Sequence, residues 1–380
     1  MATNSDAARE TFLRTIESRD VLAERFVDIK RLGTSGGDGY FSLLLTAHDK
    51  ETDSRVALKF FHPAHQRNQY RWNCFLREPK ILRLFAGKPD ILQCLAPHNE
   101  FTVPFTNELG MTLDIPFAYY AVELASHDVN SVILAGSWAP RQKLQTFRAM
   151  CRSVQRIHAQ RVVHRDLKPS NFLMMSDGTL RLSDFGTARD LSDPAGTLMP
   201  TYQAPPGDLG YAAPEVMACL HDVDPSYAIR ADIYSLGAIL FEIFARTPLV
   251  LHVFDTETLA TLNQTMNTVD RAARVRVYDG FIANMADAHP LPSLAHFGDV
   301  IPSCIRPLVD RLYQSMAAVD YRKRLCDFDE IFSYINTSIW VLEHEDAYRR
   351  LRDFRARMKQ AAEDKLLALA AKTNINRDAQ

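Results

Sequence analysis

Cysteine pairing is the first thing this sequence lacks. Its six cysteines, Cys74, Cys94, Cys151, Cys219, Cys304 and Cys326, are scattered, with no C-x-x-C pair and no histidine cluster at metal-ligand spacing. That argues against a disulfide framework or a zinc module and predicts reduced thiols in the cytoplasm. Long hydrophobic runs are missing as well. The most apolar stretch, Ser235 to Phe244, is short and carries Glu242, so no membrane-spanning helix is expected. The opening MATNSDAARETF is polar and has no signal-peptide core, and neither end shows a lipidation motif. The expectation is a chain with no membrane partner, a peripheral anchor staying open as the alternative. An excess of one charge is also absent: Lys plus Arg number 44 against 46 Asp plus Glu. No global basic field draws the chain to nucleic acid, and none is expected as a partner. No internal repeat or low-complexity tract appears.

What is there suffices for a large core. With 380 residues and 47% hydrophobic content, the chain fits one two-lobed domain with extensions. Residues 1–24 read as a polar or helical lead-in, 25–337 as the domain, with its smaller lobe ending near residue 125, and 338–380 as an extension. In the first lobe, FSLLLTAH (41–48) and RVALKFF (55–61) flank the turn-like residues 49–53 and predict a hairpin. After Arg141, apolar Leu144, Phe147, Met150, Val154 and Ile157 recur at spacings of three and four, which predicts a buried helix. Two short strands, 172–175 and 180–183, are joined by a turn containing Asp177-Gly178. The extension forms a charged helix with an apolar stripe of Tyr348, Leu351, Phe354, Met358 and Leu366. It either docks on its own domain or pairs with a partner, a second copy among the candidates.

Phosphoryl transfer needs positioned phosphates, a divalent cation against developing charge, and a group that accepts the hydroxyl proton. The sequence offers residues for each. HRDLKPSN stands at 164–171, and Asp184-Phe185-Gly186 follows thirteen residues after Asn171, with the short hairpin between them. Each motif alone is weak; their order and spacing are specific. On these residues the chain, over roughly 25–337, resembles the eukaryotic-type protein kinase family, the type case for this chemistry.

The resemblance implies an α+β, bilobal protein kinase-like fold, with a small β-rich N-lobe and a larger helical C-lobe. It implies ATP as cofactor with magnesium, manganese being the alternative cation. Asp166 would be the catalytic base, Lys168 would stabilise the transferring phosphoryl group, and Asn171 and Asp184 would hold the metal. Lys59, in Val56-Ala57-Leu58-Lys59, would contact the α- and β-phosphates with Glu78 as its helix partner. Pro79 beside Glu78 predicts a bend there. In LGTSGGDGYFSLLLTAHD the glycine-rich loop admits two registers; the one from Gly37 gives Gly37, Gly39, Phe41 at the tip and Leu44 over the base, with Ser42 in place of the third glycine. For adenine, Ala57 and Leu173 would sandwich the ring, Val122 would set the pocket depth, and the backbones of Glu123 and Ala125 would face the base. Glu215 of Ala213-Pro214-Glu215 and Arg324 would form a buried ion pair, and Asp232 would brace the catalytic loop.

The pattern departs from the family at Asp208, seven residues before Glu215, where a threonine is usual. Asp208 would pair with Lys168 yet add negative charge near Asp166, or else the loop is shifted. Lys168 implies a serine/threonine kinase acting on protein substrates, dual specificity staying open. Arg165 implies activation-loop phosphorylation, opposite Arg165 and Arg189, with Thr197 or Thr201 favoured over Ser192 and Tyr202. Extra length between Asp232 and Arg324 forms either a docking surface or an inert insertion. The alternative activity is a nucleotide-binding pseudokinase serving as a switch or scaffold.

Overall fold

Alternation of side chains along the strands between Phe26 and Glu123 sends two apolar sets to opposite faces of one sheet, and this sorting positions the site. The computed structural model describes residues 4–32, 42–65, 67–106, 112–136, 138–193, 206–218, 220, 226–253, 261–262, 264–266, 268–270, 272–288 and 290–378. Helix α1 (Asn4–Glu17) leads into strands β1 (Val21–Leu22), β2 (Phe26–Arg31), β3 (Ser42–Asp49) and β4 (Ser54–Phe61), then helix α2 (Gln69–Leu84), β5 (Cys94–Thr106) and β6 (Thr112–Glu123). The six strands form an antiparallel sheet in the order β1-β2-β3-β4-β6-β5. The expected hairpin is β3–β4, paired from Ser42↔Phe61 to Asp49↔Ser54.

Period-two geometry puts Leu43, Leu45, Val56, Leu58 and Phe60 into one core, with Tyr119 and Ala121. Their neighbours Ala57 and Phe61 join the other, larger core together with Tyr120 and Val122. Lys59 shares the latter face. Helix α1 covers the first core: Phe12, Leu13 and Ile16 are buried there, and the Phe12 ring lies 4.6 Å from Phe117 and 5.6 Å from Phe60. Arg31 ties α1 to β2 through Glu10 (2.9 Å) and Glu17 (3.0 Å). The boundary expected at residue 24 therefore divides elements that pack together.

Helix α2 is capped by Asn68, whose side chain accepts from the Arg71 N–H at 3.0 Å. Pro79 lies inside it. Proline removes the donor for the Phe75 carbonyl and disfavours a helical residue before it. The helix nevertheless runs on to Leu84, because Phe75, Glu78, Ile81 and Leu82 are all buried beneath it. The bend expected at Glu78–Pro79 thus does not end the helix or displace Glu78.

The larger lobe begins with β7 (His127–Asp128), α3 (Val129–Ala135), α4 (Pro140–Ala159) and β8 (Val162–Val163). It continues through β9 (Phe172–Met174), β10 (Leu180–Leu182), β11 (Arg189–Asp190), α5 (Pro214–Met217) and α6 (Ser226–Ala245). Last come α7 (Val250–Val253), α8 (Arg274–Ala288), α9 (Arg306–Met316), α10 (Phe328–Glu343) and α11 (Glu345–Asp378). Together with the curled sheet of the smaller lobe, this is the bilobal α+β fold the resemblance implied. Helix α6 is apolar on nearly every side because other elements surround it, with Ile233, Leu236, Leu240 and Phe244 all buried. A Cβ on Gly237 would lie 2.7 Å from the Ala317 nitrogen, so glycine permits α6 to approach the end of α9.

The extra length before Arg324 is partly outside the described residues. Its α8 buries Tyr278 and Ile282, and Tyr278 packs 6.2 Å from Tyr321, so this part is joined to the lobe's core. The boundary expected at 337/338 falls within α10. Helix α11 docks at its start, where Tyr348 packs on the core; Leu351, Phe354 and Met358 are exposed.

Candidate active site

The cleft between the lobes has a volume of about 940 Å³ and is lined by Ser42, Leu44, Ala57, Lys59, Glu78, Val122, Glu123, Ala125, Asp166, Lys168, Asn171, Leu173, Asp184 and Asp208, among others. Sequence positions far apart thus converge. The expected Gly37 and Gly39 of the glycine-rich loop, and Phe41, lie outside the described residues, as do Thr197, Thr201 and Tyr202.

Lys59 reaches from β4 to both lobes. Its Nζ lies 2.6 Å from Glu78 Oε2 on α2 and 3.2 Å from Asp184 Oδ1. Burial disfavours the ammonium charge, but the Asp184 and Glu78 carboxylates outweigh it and hold Lys59 above its usual pKa. Burial likewise opposes the charge on Asp184, while Lys59 and Lys168 draw it below the usual carboxylate value. Glu78 is pushed up by burial against the attraction of Lys59. Asp184 itself sits in left-handed backbone, φ 60°, which turns its side chain out of the chain's extended path. Phe185 is fully buried and lies edge-on to His164 at 4.9 Å.

The segment 164–171 is fixed from behind by Asp232. Its carboxylate accepts from the His164 N–H (2.8 Å), the Arg165 N–H (2.9 Å) and the His158 ring (2.9 Å). Since a carbonyl can only accept, His164 Nε2 donates to Ser183 O at 2.9 Å, leaving Nδ1 to accept from the Asp166 N–H at 3.3 Å. Arg165 has φ 65° and donates from Nε to Thr187 O at 2.7 Å.

Asp166 is 8% exposed. One oxygen, Oδ1, accepts from the Asp208 N–H at 2.8 Å, and the other lies 3.3 Å from Lys168 Nζ. Asn171 Nδ2 donates to the Asp166 carbonyl at 2.7 Å, which leaves Asn171 Oδ1 as the amide's acceptor. Burial pushes Asp166 up and Lys168 counters it. Lys168 is disfavoured by burial, yet Asp166, Asp208 and Asp184 raise it above the usual lysine value. Asp208 does pair with Lys168, at 3.7 Å, and the segment is in the register expected from Ala213-Pro214-Glu215.

On the adenine side of the cleft, β4 pairs Ala57 with Val122 and Lys59 with Tyr120. The Glu123 N–H is committed to Gln93 O at 3.1 Å, and its carboxylate accepts from the Gln93 N–H at 2.9 Å. The Glu123 side chain therefore points away from the cleft, and backbone groups remain to face a base. The ion pair between Glu215 and Arg324 forms, with Nη2–Oε2 at 3.1 Å and both side chains wholly buried.

Two contributors were not found in the sequence reading. Arg77 Nη1 donates to Gly186 O at 2.6 Å, linking α2 to the start of the segment after Asp184; its position beside Glu78 was the available signal. Gly207 has φ 83°, and a Cβ there would collide with the Arg165 carbonyl oxygen. A glycine just before Asp208 in PPGDLGYAAPE marked that close approach.

Among the described residues no group of three or more His, Cys, Asp or Glu side chains gathers to hold a metal. Asn171 and Asp184 supply two oxygen donors, which fits a hard cation that takes its remaining ligands from phosphate and water. No helix among the described residues is long and apolar enough to cross a membrane.

Comparison with known proteins agrees with this geometry. A family model described as protein kinase domain matches residues 31–333. Mitogen-activated protein kinase 15 of Rattus norvegicus is 32% identical over 233 residues, 60% of this chain and 38% of that protein. Mitogen-activated protein kinase 8 of Oryza sativa subsp. japonica is 30% identical over 298 residues, 76% of this chain and 48% of that protein. Mitogen-activated protein kinase MKC1 of Candida albicans is 29% identical over 255 residues, 66% of this chain and 48% of that protein. The chain thus spans less than half the length of these curated relatives. Proteins of this family use ATP and a divalent metal in general. With Lys59, Glu78, Asp166, Asn171 and Asp184 gathered in one cleft and the family match running through most of its length, the chain belongs to the protein kinase domain family.

Proposed function

We propose that this protein is an ATP-dependent serine/threonine protein kinase that also phosphorylates itself. The observation that carries the reading is the joint placement of Asp166, held by Asp208 N–H and Lys168, and Lys59, held by Glu78 and Asp184, in the same cleft. Leu44, Ala57, Val122 and Leu173 enclose the adenine, and the backbones of Glu123 and Ala125 face its edge. Lys59 neutralises the α- and β-phosphates. Magnesium, held by Asn171 and Asp184, offsets charge on the phosphates when bound; manganese has the same donors available. Asp166 orients the substrate hydroxyl and accepts its proton, a role that its burial-raised basicity assists. Lys168 lies close enough to Asp166 to stabilise the transferring group over the same hydroxyl.

Lys168, together with the serine/threonine class of the relatives, supports Ser and Thr as acceptors in protein substrates. Activation by phosphorylation at Thr197 or Thr201 rests on Arg165 and Arg189 as cations to pair with the added phosphate; intact-mass and peptide mapping after incubation with ATP tests it, an unmodified segment sinking the idea. Free thiols at Cys74, Cys94, Cys151, Cys304 and Cys326 support a cytoplasmic location.

The decisive assay is transfer from γ-labelled ATP, with magnesium or manganese, by wild type and Asp166→Asn. The acceptors are the protein itself and generic basic proteins. Transfer to Ser or Thr that disappears in the variant is expected. Nucleotide binding with no transfer by wild type, even after treatment with an activating kinase, would place the protein with the pseudokinases.

A further inference from the structure

The last helix carries a pattern for which phosphoryl transfer has no use. It lies beyond the residues matched by the kinase family, which end at 333. Tyr348 packs on the large lobe, and from Arg349 to Lys365 every residue is exposed. Successive helical residues turn by about 100°, so Leu351, Phe354, Met358 and Ala362 form one stripe. The first three are 41%, 55% and 57% exposed. Arg352 and Lys359 border one edge of that stripe, Arg350 and Arg357 the other, and Arg355 lies within it. Asp353, Gln360 and Asp364 occupy the opposite face. Between Arg349 and Lys359 six cations stand against the single carboxylate Asp353. The exposed pairs Arg349–Glu345 (3.0 Å) and Lys359–Glu363 (3.8 Å) leave that stretch positive.

This charge arrangement selects the occupant. A second copy of the helix, whether parallel or antiparallel, would bring Arg350, Arg355 and Arg357 beside their own kind along the seam, and the apolar spacing meets Lys365 after two heptads. An acidic protein groove closing round the helix would meet the carboxylates of Asp353 and Asp364. A flat anionic surface takes the apolar stripe and both basic edges while leaving those carboxylates in water.

We propose that α11 is an interfacial helix that docks the kinase on an anionic lipid bilayer. Leu351, Phe354 and Met358 enter the headgroup boundary, and Arg350, Arg352, Arg357 and Lys359 meet the lipid phosphates. The test is co-sedimentation of the full chain with vesicles of phosphatidylcholine alone or with added phosphatidylserine, across a salt series. The expected result is binding to the phosphatidylserine vesicles that weakens as salt rises and is at least about tenfold weaker on phosphatidylcholine. The combined variant Leu351→Asp, Phe354→Asp, Met358→Asp is expected to lose this binding by about tenfold or more while keeping wild-type thermal stability. Equal binding to both vesicles, retention by the triple variant, or equally tight binding to soluble polyglutamate would overturn the proposal. So would light scattering that finds a wild-type dimer made monomeric by the same three substitutions.

Discussion

Two charge clusters among the described residues are built differently. Glu215 and Arg324 form a closed one-to-one pair: both side chains are wholly buried, and the guanidinium also donates to Arg230 O (2.8 Å) and Ala318 O (3.0 Å). In the cleft, four carboxylates, Glu78, Asp166, Asp184 and Asp208, gather round two ammonium groups, Lys59 and Lys168. Balanced and fully hydrogen-bonded charge serves the fold. Charge left with a negative surplus, open to a cleft, has a free-energy cost in the folded protein that a bound cation relieves.

Asp166→Asn should show the largest effect of breaking this comparison. Loss of the proton acceptor is expected to lower the transfer rate by about a hundredfold to ten-thousandfold. Thermal stability should hold or rise, because one surplus carboxylate is gone. A variant that transfers phosphate at the wild-type rate would remove Asp166 from the mechanism. Glu215→Gln should behave in the opposite way, costing about 3 to 5 kcal/mol in urea unfolding, since Arg324 is left buried without its counter-charge. The double variant Glu215→Leu, Arg324→Met should recover most of that loss. If instead Glu215→Gln unfolds like wild type, the closed pair has no structural role.

Much of the cleft was legible because its residues stand in short runs. Asp166, Lys168 and Asn171 fall within eight residues, and Asp184 follows at a fixed distance. The strands were legible because period-two alternation separates two cores, as at Ala57 and Leu58. What escaped depends on contacts between distant segments. Pro79 argues locally against a helix, and only burial of Phe75 and Ile81 overrides it. The packing of Phe12 on β4 and β6 cannot be read from a polar-looking leader, and Arg77 meets Gly186 across 109 residues. Exposure of α11 from Arg349 to Lys365 was equally hidden, since an amphipathic stripe says that a face is apolar and not what covers it.

The smaller lobe offers an intermediate case, a buried carboxylate whose cation, Arg25, is shared with the exposed Glu51 (2.6 Å). Asp49 is wholly buried, and Arg25 meets both its oxygens, at 2.7 and 2.6 Å. Hydrogen bonding from Arg25 lowers its pKa from 3.8 to about 2, against the opposing effect of burial. A depressed folded-state value means that the stabilisation is complete above the unfolded pKa and is lost as pH falls from about 4 toward 2. Asp49→Asn should therefore cost on the order of 1 kcal/mol at neutral pH, after allowance for solvent around Arg25. It should also flatten the stability profile between those pH values, as measured by urea unfolding. An unchanged acid limb would show that the pair contributes nothing.

The smallest effect is expected at Asp208, the least buried member of the surplus. Its side chain is 44% exposed, and its 3.7 Å separation from Lys168 is longer than the 3.3 Å from Lys168 to Asp166. An exposed pair of this kind is worth about 0 to 1 kcal/mol, or up to about fivefold in rate. The contact that fixes Asp166 comes from the backbone N–H of residue 208, which threonine preserves. Asp208→Thr also gives up the hydrogen bond from the Gly210 N–H to the carboxylate (2.9 Å), but it frees Lys168 to attend to Asp166 alone. Transfer by Asp208→Thr should accordingly match wild type or exceed it by no more than about fivefold in steady-state assays. Complete loss of turnover, with ATP binding and thermal stability retained, would mean that the Asp208 carboxylate itself positions Lys168. The surplus in the cleft would then be part of the catalytic geometry down to its most exposed member.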